Sequence, residues 1–234
     1  MEYKVNINGI DVLADFSEED ITNKYIPLLK KLAKMHDEKK SRILMMLAAP
    51  PGAGKSTLAS FLEHLSTEVL KDKKVVAIGM DGFHKRQEYL VSHTTTIDGA
   101  TISLKEIKGA PVTFDLEGLT KKIKDVKSGA LCRWPVYDRL LHNPVEDAIT
   151  VNGDIIILEG NYLLLNKPGW RELSYYADFT AFIKRDPDML RKRLIERKIA
   201  SGTSREDAVK FVDFSDMKNV MLCLECSMTP DVVL

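Results

Sequence analysis

Hydrophobic positions along this chain follow two patterns. In one, apolar residues run without interruption: Ile43 to Ala48, Val75 to Ile78, Ile155 to Leu158 and Phe179 to Ile183. A strand reads this way when both its faces are covered, as in a parallel sheet. In the other, apolar residues return every three or four positions: Leu58, Phe61, Leu62 and Leu65, then Leu116, Leu119, Ile123 and Val126. That spacing predicts helices that lay one face on the sheet. Strands alternating with helices predict an α/β fold with a mainly parallel sheet flanked by helices. Near the N-terminus Tyr3, Val5 and Ile7 alternate with polar residues, Asn8-Gly9 is a turn pair, and Ile10 to Phe16 can return as a second strand, which predicts a hairpin. Ser17, with Asp20 three residues on, caps a helix carrying Ile21, Tyr25, Leu28, Leu29 and Leu32, and the charged stretch His36 to Ser41 reads as a loop. Asp186-Pro187 opens a helix, Ser204 with Asp207 opens another, and Val220 to Leu224 reads as a last strand. The stretch from Gly82 to Pro111 shows no period, and a long irregular segment inside a compact domain is usually functional. Residues 1–40 therefore read as a hairpin-and-helix extension packed on a core domain of residues 41–234.

The first uninterrupted apolar run ends in Ala49-Pro50-Pro51-Gly52-Ala53-Gly54-Lys55-Ser56-Thr57 and a helix follows. A Gly-rich turn between a buried strand and a helix, closed by Gly-Lys-Ser, has the chemistry of a phosphate loop. Its backbone N–H groups and the helix N-terminus point at phosphate oxygens. Pro51, Gly52, Ala53, Gly54, Lys55, Ser56 and Thr57 form the nucleotide-binding stretch, with Lys55 directed at the β- and γ-phosphates and the Ser56 hydroxyl at Mg²⁺. Ala49 stands where the pattern has its first Gly. Pro50 restricts residue 49 to extended backbone, where Ala meets no steric penalty. A guanine-reading Asn-Lys-x-Asp is not formed at Asn166-Lys167-Pro168-Gly169, which argues against a GTPase.

Two carboxylates, Asp81 and Glu159, stand just past buried strands. In an open parallel sheet the ligand crevice lies outside the carboxyl ends of the strands, so both should face the phosphate loop. One can take the proton of an attacking hydroxyl while the other holds Mg²⁺ or its water.

Four further segments carry a resemblance: Asp81-Gly82-Phe83-His84, Gly109-Ala110-Pro111-Val112-Thr113-Phe114-Asp115, Pro135-Val136-Tyr137-Asp138 with His142, and Leu158-Glu159-Gly160-Asn161-Tyr162. With the phosphate loop they resemble the uridine kinase, phosphoribulokinase and bacterial pantothenate kinase group of P-loop kinases, closest to its nucleoside or fructose-transport kinase-like branch. The likeness spans about residues 42 to 219. It implies ATP- and Mg²⁺-dependent phosphorylation of a hydroxyl on a small acceptor, whether sugar, nucleoside or pantothenate-like. It also implies Asp81 as the base beside the acceptor, Glu159 with Ser56 at the metal, and Phe83, His84, Tyr137, Asp138 and His142 around the acceptor. After Asp138 the chain reads Arg139-Leu140-Leu141-His142-Asn143-Pro144, without the aromatic residue the group has at 139 or its Arg at 144, which argues against a pyrimidine nucleoside.

Arg191, Arg193, Arg197 and Lys198 follow Pro187 on one predicted helix, and Arg193 and Arg197 share a face at i and i+4. A solvated surface is one reading. The other is a lid near residues 186–204, hinged at Ser201-Gly202-Thr203, that brings Arg193 and Arg197 to the transferring phosphoryl. Trp134 is as compatible with core as with the acceptor pocket. Cys223-Leu224-Glu225-Cys226 lacks the second ligand pair of a zinc site and reads as structural.

Composition narrows the choice. The 234 residues balance 34 Lys+Arg against 34 Asp+Glu, without the basic excess of a general nucleic-acid binder. No apolar run reaches the length of a membrane span, and Met1-Glu2-Tyr3-Lys4 does not open a signal peptide, so a cytoplasmic protein is expected. A homodimer is compatible with the sequence. The competing class is a P-loop ATPase switch acting on a protein partner, which would not need the long segments at 81–115 and 133–144 to enclose a small molecule.

Overall fold

The computed structural model describes residues 1–7, 9–97, 99–139 and 141–234. Asn8, half of the expected turn pair, and Leu140 lie outside the described residues.

The chain opens with a hairpin, β1 (Glu2–Ile7) and β2 (Ile10–Asp15), paired antiparallel from Glu2↔Asp15 to Ile7↔Ile10. Ser17 caps the next segment by accepting from the Asp20 N–H at 3.0 Å. A first turn, α1 (Glu18–Asp20), passes through a wide turn at Ile21–Tyr25 into α2 (Ile26–Lys39). The expected loop at His36–Ser41 is mostly helix. His36 and Lys39 sit in the last turn of α2, where positive charge suits the helix dipole, and Lys40 ends it with φ 57°.

The central sheet has five parallel strands in the order β11-β10-β3-β9-β4: β3 (Ile43–Ala48), β4 (Val75–Gly79), β9 (Ile155–Gly160), β10 (Phe179–Phe182) and a short β11 (Val232–Val233). The apolar run of β3 splits between two cores. Ile43, Met45 and Leu47 join a layer with α2, α3 (Lys55–Val69) and α6 (Pro187–Ala200). Leu44, Met46 and Ala48 join Leu119, Ile123 and Val126 of α5 (Leu116–Lys127) on the other face. This is why the run shows no alternation: every position is inside.

The aperiodic 82–111 stretch holds short elements: α4 (Gln87–Ser92) and a hairpin, β5 (Thr94–Ile97) with β6 (Ala100–Ser103), which share a small core of Leu90, Leu104 and Ile107. Elements of four to six residues are too short to print a period. Residues expected as an acceptor loop around Tyr137 instead form a third hairpin, β7 (Cys132–Asp138) with β8 (Asn143–Val151). Its register shifts between Trp134 and Val136, and Pro135 sits at that irregularity, which hid the strand in the sequence.

Val220–Leu224 is not a strand. It lies in α8 (Met217–Cys226), which follows α7 (Arg205–Phe211) and a wide turn at Val212–Asp216. A run of five apolar residues does not by itself separate strand from helix. Here Val220 and Cys223, three apart, are buried while Met221 is exposed, and that is the helical pattern. Cys223 and Cys226 are free thiols, and Cys223 is buried with its Sγ donating to the Asn161 carbonyl at 3.3 Å.

Candidate active site

The phosphate loop joins β3 to α3. Gly52 and Gly54 have φ of 80° and 90°, a region glycine enters without cost. Ala49 is absent from the positive-φ residues, so its Cβ is no obstacle. A Cβ on Gly52 would lie 3.2 Å from the Leu194 side chain, because α6 rests directly on the loop through Leu190 and Leu194. No side chain caps the N-terminus of α3. Its first-turn N–H groups are thus left for an anion, which is what a triphosphate supplies. Lys55 is buried and, among the described residues, makes no ion pair. Both features fit the β- and γ-phosphates.

The two carboxylates arrive from neighbouring strands. Glu159 sits opposite Leu47 of β3 and Gly79 of β4 in the sheet, and its Oε1 accepts from the Ser56 hydroxyl at 2.8 Å. Asp81 lies two residues past β4 in a tight turn at Met80–Phe83. That turn presses on β7: a Cβ on Gly82 would lie 2.2 Å from the Pro135 carbonyl oxygen, so only glycine fits after Asp81. The carboxylates differ electrostatically. Burial pushes Asp81 up, but His84, Lys55, Arg139 and Arg197 outweigh it and hold its carboxyl below the ordinary range. Burial moves Glu159 to about 6, against Lys55 and with the help of Asp81. A hydroxyl and crowded carboxylates are hard oxygen donors of the kind Mg²⁺ takes, and a cation there would relieve Glu159. Among the described residues no cluster of three or more His, Cys, Asp or Glu could hold a metal alone. Mg²⁺ characteristically draws its remaining ligands from phosphate oxygens and water.

Lys55, Ser56 and Asp81 open into one cavity of about 500 Å³. Its floor is Pro51, Gly52, Gly54, Lys55, Ser56 and Thr57. Arg193, Arg197 and Lys198 line it from the end of α6, with Asp216 and Asn219 behind them. Asp81, His84, Lys108, Gly109, Tyr137, Arg139, His142 and Asn161 also line it, and Ile7, Ile10 and Val12 of the first hairpin add apolar side chains. A smaller cavity of about 150 Å³ continues from Ser56, Asp81 and Glu159 toward Asn6, Glu63 and Pro135.

Most of the site residues read from the sequence thus meet in one place, and four do not line it. Glu159 lines the smaller cavity instead, where it holds the Ser56 hydroxyl. Ala53 is buried in the core beneath the loop. Phe83 is buried edge-on against Trp134, with ring centres 4.9 Å apart. Asp138 takes the Leu141 N–H at 2.9 Å and so shapes the hairpin turn. Trp134 is core, its indole N–H donating to the Gly79 carbonyl at 2.8 Å. His84 stacks on Phe114 with centres 4.0 Å apart, and burial lowers its imidazole to about 4, which makes it neutral at pH 7. Three buried polar atoms of cavity-lining residues have no hydrogen-bond partner among the described residues, His84 Nδ1, Asn161 Oδ1 and Asp216 Oδ2, the last 3.9 Å from the Lys198 ammonium. Of the basic helix, Arg191 turns away to a bidentate pair with Asp213 at 2.6 and 2.8 Å, whereas Arg193 and Arg197 face the cavity. Sequence reasoning missed Lys108 as a site residue. It predicted the first hairpin but not its place beside the cavity, which depends on long-range packing that no local pattern reveals.

The family model described as Phosphoribulokinase / Uridine kinase family matches residues 44–230. A protein of Escherichia coli K12, YggC, whose name assigns no activity, is 40% identical over 221 residues, covering 94% of this chain and 89% of its own. A Schizosaccharomyces pombe protein provisionally named a uridine kinase is 34% identical over 228 residues, covering 93% of this chain and 90% of its own. Among solved structures, a Silicibacter sp. TM1040 protein provisionally described as a fructose transport system kinase superposes with a TM-score of 0.79 at 28% identity, covering 90% of this chain and 98% of that one.

Proposed function

The chain belongs to the phosphoribulokinase/uridine kinase family, and from that premise we propose that it transfers the γ-phosphoryl group of ATP to a hydroxyl of a small-molecule acceptor. The observation that carries the reading is the single cavity in which Asp81 and the phosphate loop face each other. ATP lies with its β- and γ-phosphates on the α3 N-terminus and Lys55. The acceptor lies toward His84, Tyr137 and Arg139, its hydroxyl against Asp81. The hydroxyl oxygen attacks the γ-phosphorus in line: the new O–P bond forms, the bond to the bridging oxygen breaks, its electron pair leaves with ADP, and the proton passes to the Asp81 carboxylate. A carboxyl held low is a weak base. In a loose transition state that suffices, since the proton leaves late and alignment is the larger task. Arg193, Arg197 and Lys55 meet the charge that spreads over the transferring oxygens. Ser56 and Glu159 are the residues that would hold Mg²⁺, whose chemistry when bound is to neutralise the β- and γ-phosphate oxygens.

The test is ADP release with and without a panel of sugars, nucleosides and hydroxy acids, for the wild type and Asp81→Asn. A kinase shows acceptor-dependent release, and Asp81→Asn lowers it about 10²–10⁴-fold while ATP binding by calorimetry stays close to wild type. Slow hydrolysis indifferent to every acceptor would return the protein to the ATPase-switch class.

A further inference from the structure

The cavity holds a cation that the triphosphate does not account for. Lys108 leads into the turn before Ala110 and projects onto the wall shared by Tyr137 and His142. Its ammonium donates to Gln87 Oε1 at 2.9 Å and to the His142 carbonyl at 3.2 Å, and it stands 5.1 Å from the centre of the Tyr137 ring. All three partners are neutral, and among the described residues no carboxylate pairs with it. The other cations lining the cavity stand near the phosphate loop or a carboxylate: Lys55, Arg139 and Arg197 act on Asp81, Lys198 reaches Asp216 at 3.9 Å, and Arg193 shares the α6 face of Arg197. Lys108 is not among the charges acting on Asp81; with Arg139 it acts on His84.

We propose that the acceptor carries an anionic oxygen group, a carboxylate or a phosphate monoester, which binds the Lys108 ammonium beside Tyr137 and His142. The inference rests on the kinase reading above and deepens it. With the reacting hydroxyl at Asp81, an acceptor that reaches the wall of Tyr137 and His142 meets the Lys108 ammonium there. An ammonium taken half out of water without a counter-ion is costly. Burial lowers its pKa to about 8, with Lys105 adding to the effect, so it is mostly charged at neutral pH and ready for an anion. His84 Nδ1 and Asn161 Oδ1, both unpartnered, leave further hydrogen-bonding capacity for the polar middle of the acceptor. Phosphoryl transfer is as written above: the acceptor hydroxyl gains the phosphoryl group, ADP leaves, the proton goes to Asp81, and the anionic group is unchanged.

The experiment has two arms on the full-length protein. The first measures ADP release with matched pairs that differ only in charge: glycerol against glycerate, pantothenyl alcohol against pantothenate, and free sugars against their monophosphates. Turnover is expected from an anionic member, and its identity separates carboxylate from phosphate. Lys108→Met should raise the KM of that acceptor about 10- to 100-fold, the span of a charge-assisted hydrogen bond, while Lys108→Arg retains most of the affinity. The KM for ATP should move less than about twofold. A neutral member turned over as well as its charged partner overturns the proposal, and so does an unmoved KM in Lys108→Met. The second arm fills the phosphate loop with Mg²⁺ and a non-hydrolysable ATP analogue, then follows melting temperature against glycerate, acetate or inorganic phosphate. A saturable rise in the wild type that Lys108→Met loses supports the subsite even if no acceptor is phosphorylated, in which case the kinase reading fails alone. No rise with any of the three overturns the subsite. The melting temperature of each ligand-free variant separates loss of binding from loss of the Gln87–His142 tie.

Discussion

At the scale of single residues, the ammonium of Lys108 sets a pH dependence whose sign can be worked out. Below about 8 it is charged and binds an anionic acceptor. Above that pH it deprotonates, and kcat/KM, which reports groups of the free enzyme, should fall about tenfold per unit. A bound anion raises the ammonium pKa, so the same limb in kcat lies at higher pH. Lys108→Arg stays charged over the whole range and should lose the limb; a limb that persists in this variant belongs to another group. Stability runs the other way. Lys108 is lowered on folding, so between about 8 and its unfolded value of 10.5 the unfolded chain binds more protons, and this group's contribution rises with pH. Nothing in the sequence marks Lys108. It is one of 34 basic residues and lies in an aperiodic stretch, and only the placement of His142 and Tyr137 around it gives it a role. The phosphate loop, by contrast, is legible residue by residue, because Gly-x-Gly-Lys-Ser is a local solution to a local problem: backbone N–H groups must reach an anion.

At the scale of elements, α6 does two jobs with two faces. Leu190, Leu194 and Ile195 are buried, and the first two press on the phosphate loop, so most of this helix is fixed to the core. Any lid closure is therefore left to its C-terminal end and the turn at 201–204, where Gly202 has φ 93°. Arg197 and Lys198 stand in the last turn, where the helix dipole favours positive charge. If Arg197 meets the transferring phosphoryl in the same chain, Arg197→Ala should lower kcat about 10³-fold or more with a far smaller change in ATP affinity. Arg191→Ala is the control. The Arg191–Asp213 pair is exposed and screened by solvent, so its loss should leave the urea midpoint close to wild type and kcat unchanged. Steady-state kinetics and urea titration of both variants decide the matter, and equal effects would mean that the helix acts only through its packing. The elements also show which signals carry. β3 and β9 were readable because burial on both faces leaves six successive apolar positions in the first and four, Ile155 to Leu158, in the second. α8 was misread because five apolar residues are fewer than two helical turns, and the polar residues that betray the helix, Lys218 and Glu225, lie outside that run. β7 was hidden by Pro135 at its irregular step.

At the scale of the whole molecule, the part of the chain outside the matched family region comes back to the site. The first hairpin is anchored at its base and overhangs at its tip. Phe16 stacks on Phe61 of α3 with ring centres 3.9 Å apart, and the Tyr3 hydroxyl lies 2.9 Å from Ser60 Oγ, also on α3. The helix that begins at the phosphate loop therefore carries the hairpin, and Ile7, Ile10 and Val12 add apolar side chains to the cavity lining. The sequence predicts this hairpin but not its position, because alternation fixes pairing within a hairpin and says nothing about what its outer face meets. In a cavity that also holds many charged side chains, apolar side chains of the hairpin would help exclude water, and a kinase needs that exclusion to keep ATP from hydrolysing. Base and tip can be separated. Phe16→Ala removes a half-buried ring from the core and should cost about 2–3 kcal/mol, read from urea titration, with kinetics near wild type at low temperature. Val12→Asn and Ile7→Asn leave the anchor intact and should keep the melting temperature within a few degrees. They should raise ADP release in the absence of acceptor relative to release with it, because water now reaches the γ-phosphate. If the coupling ratio does not move in either tip variant, the hairpin serves only to cover α3, and the barrier to water must lie at the α6 end of the cavity.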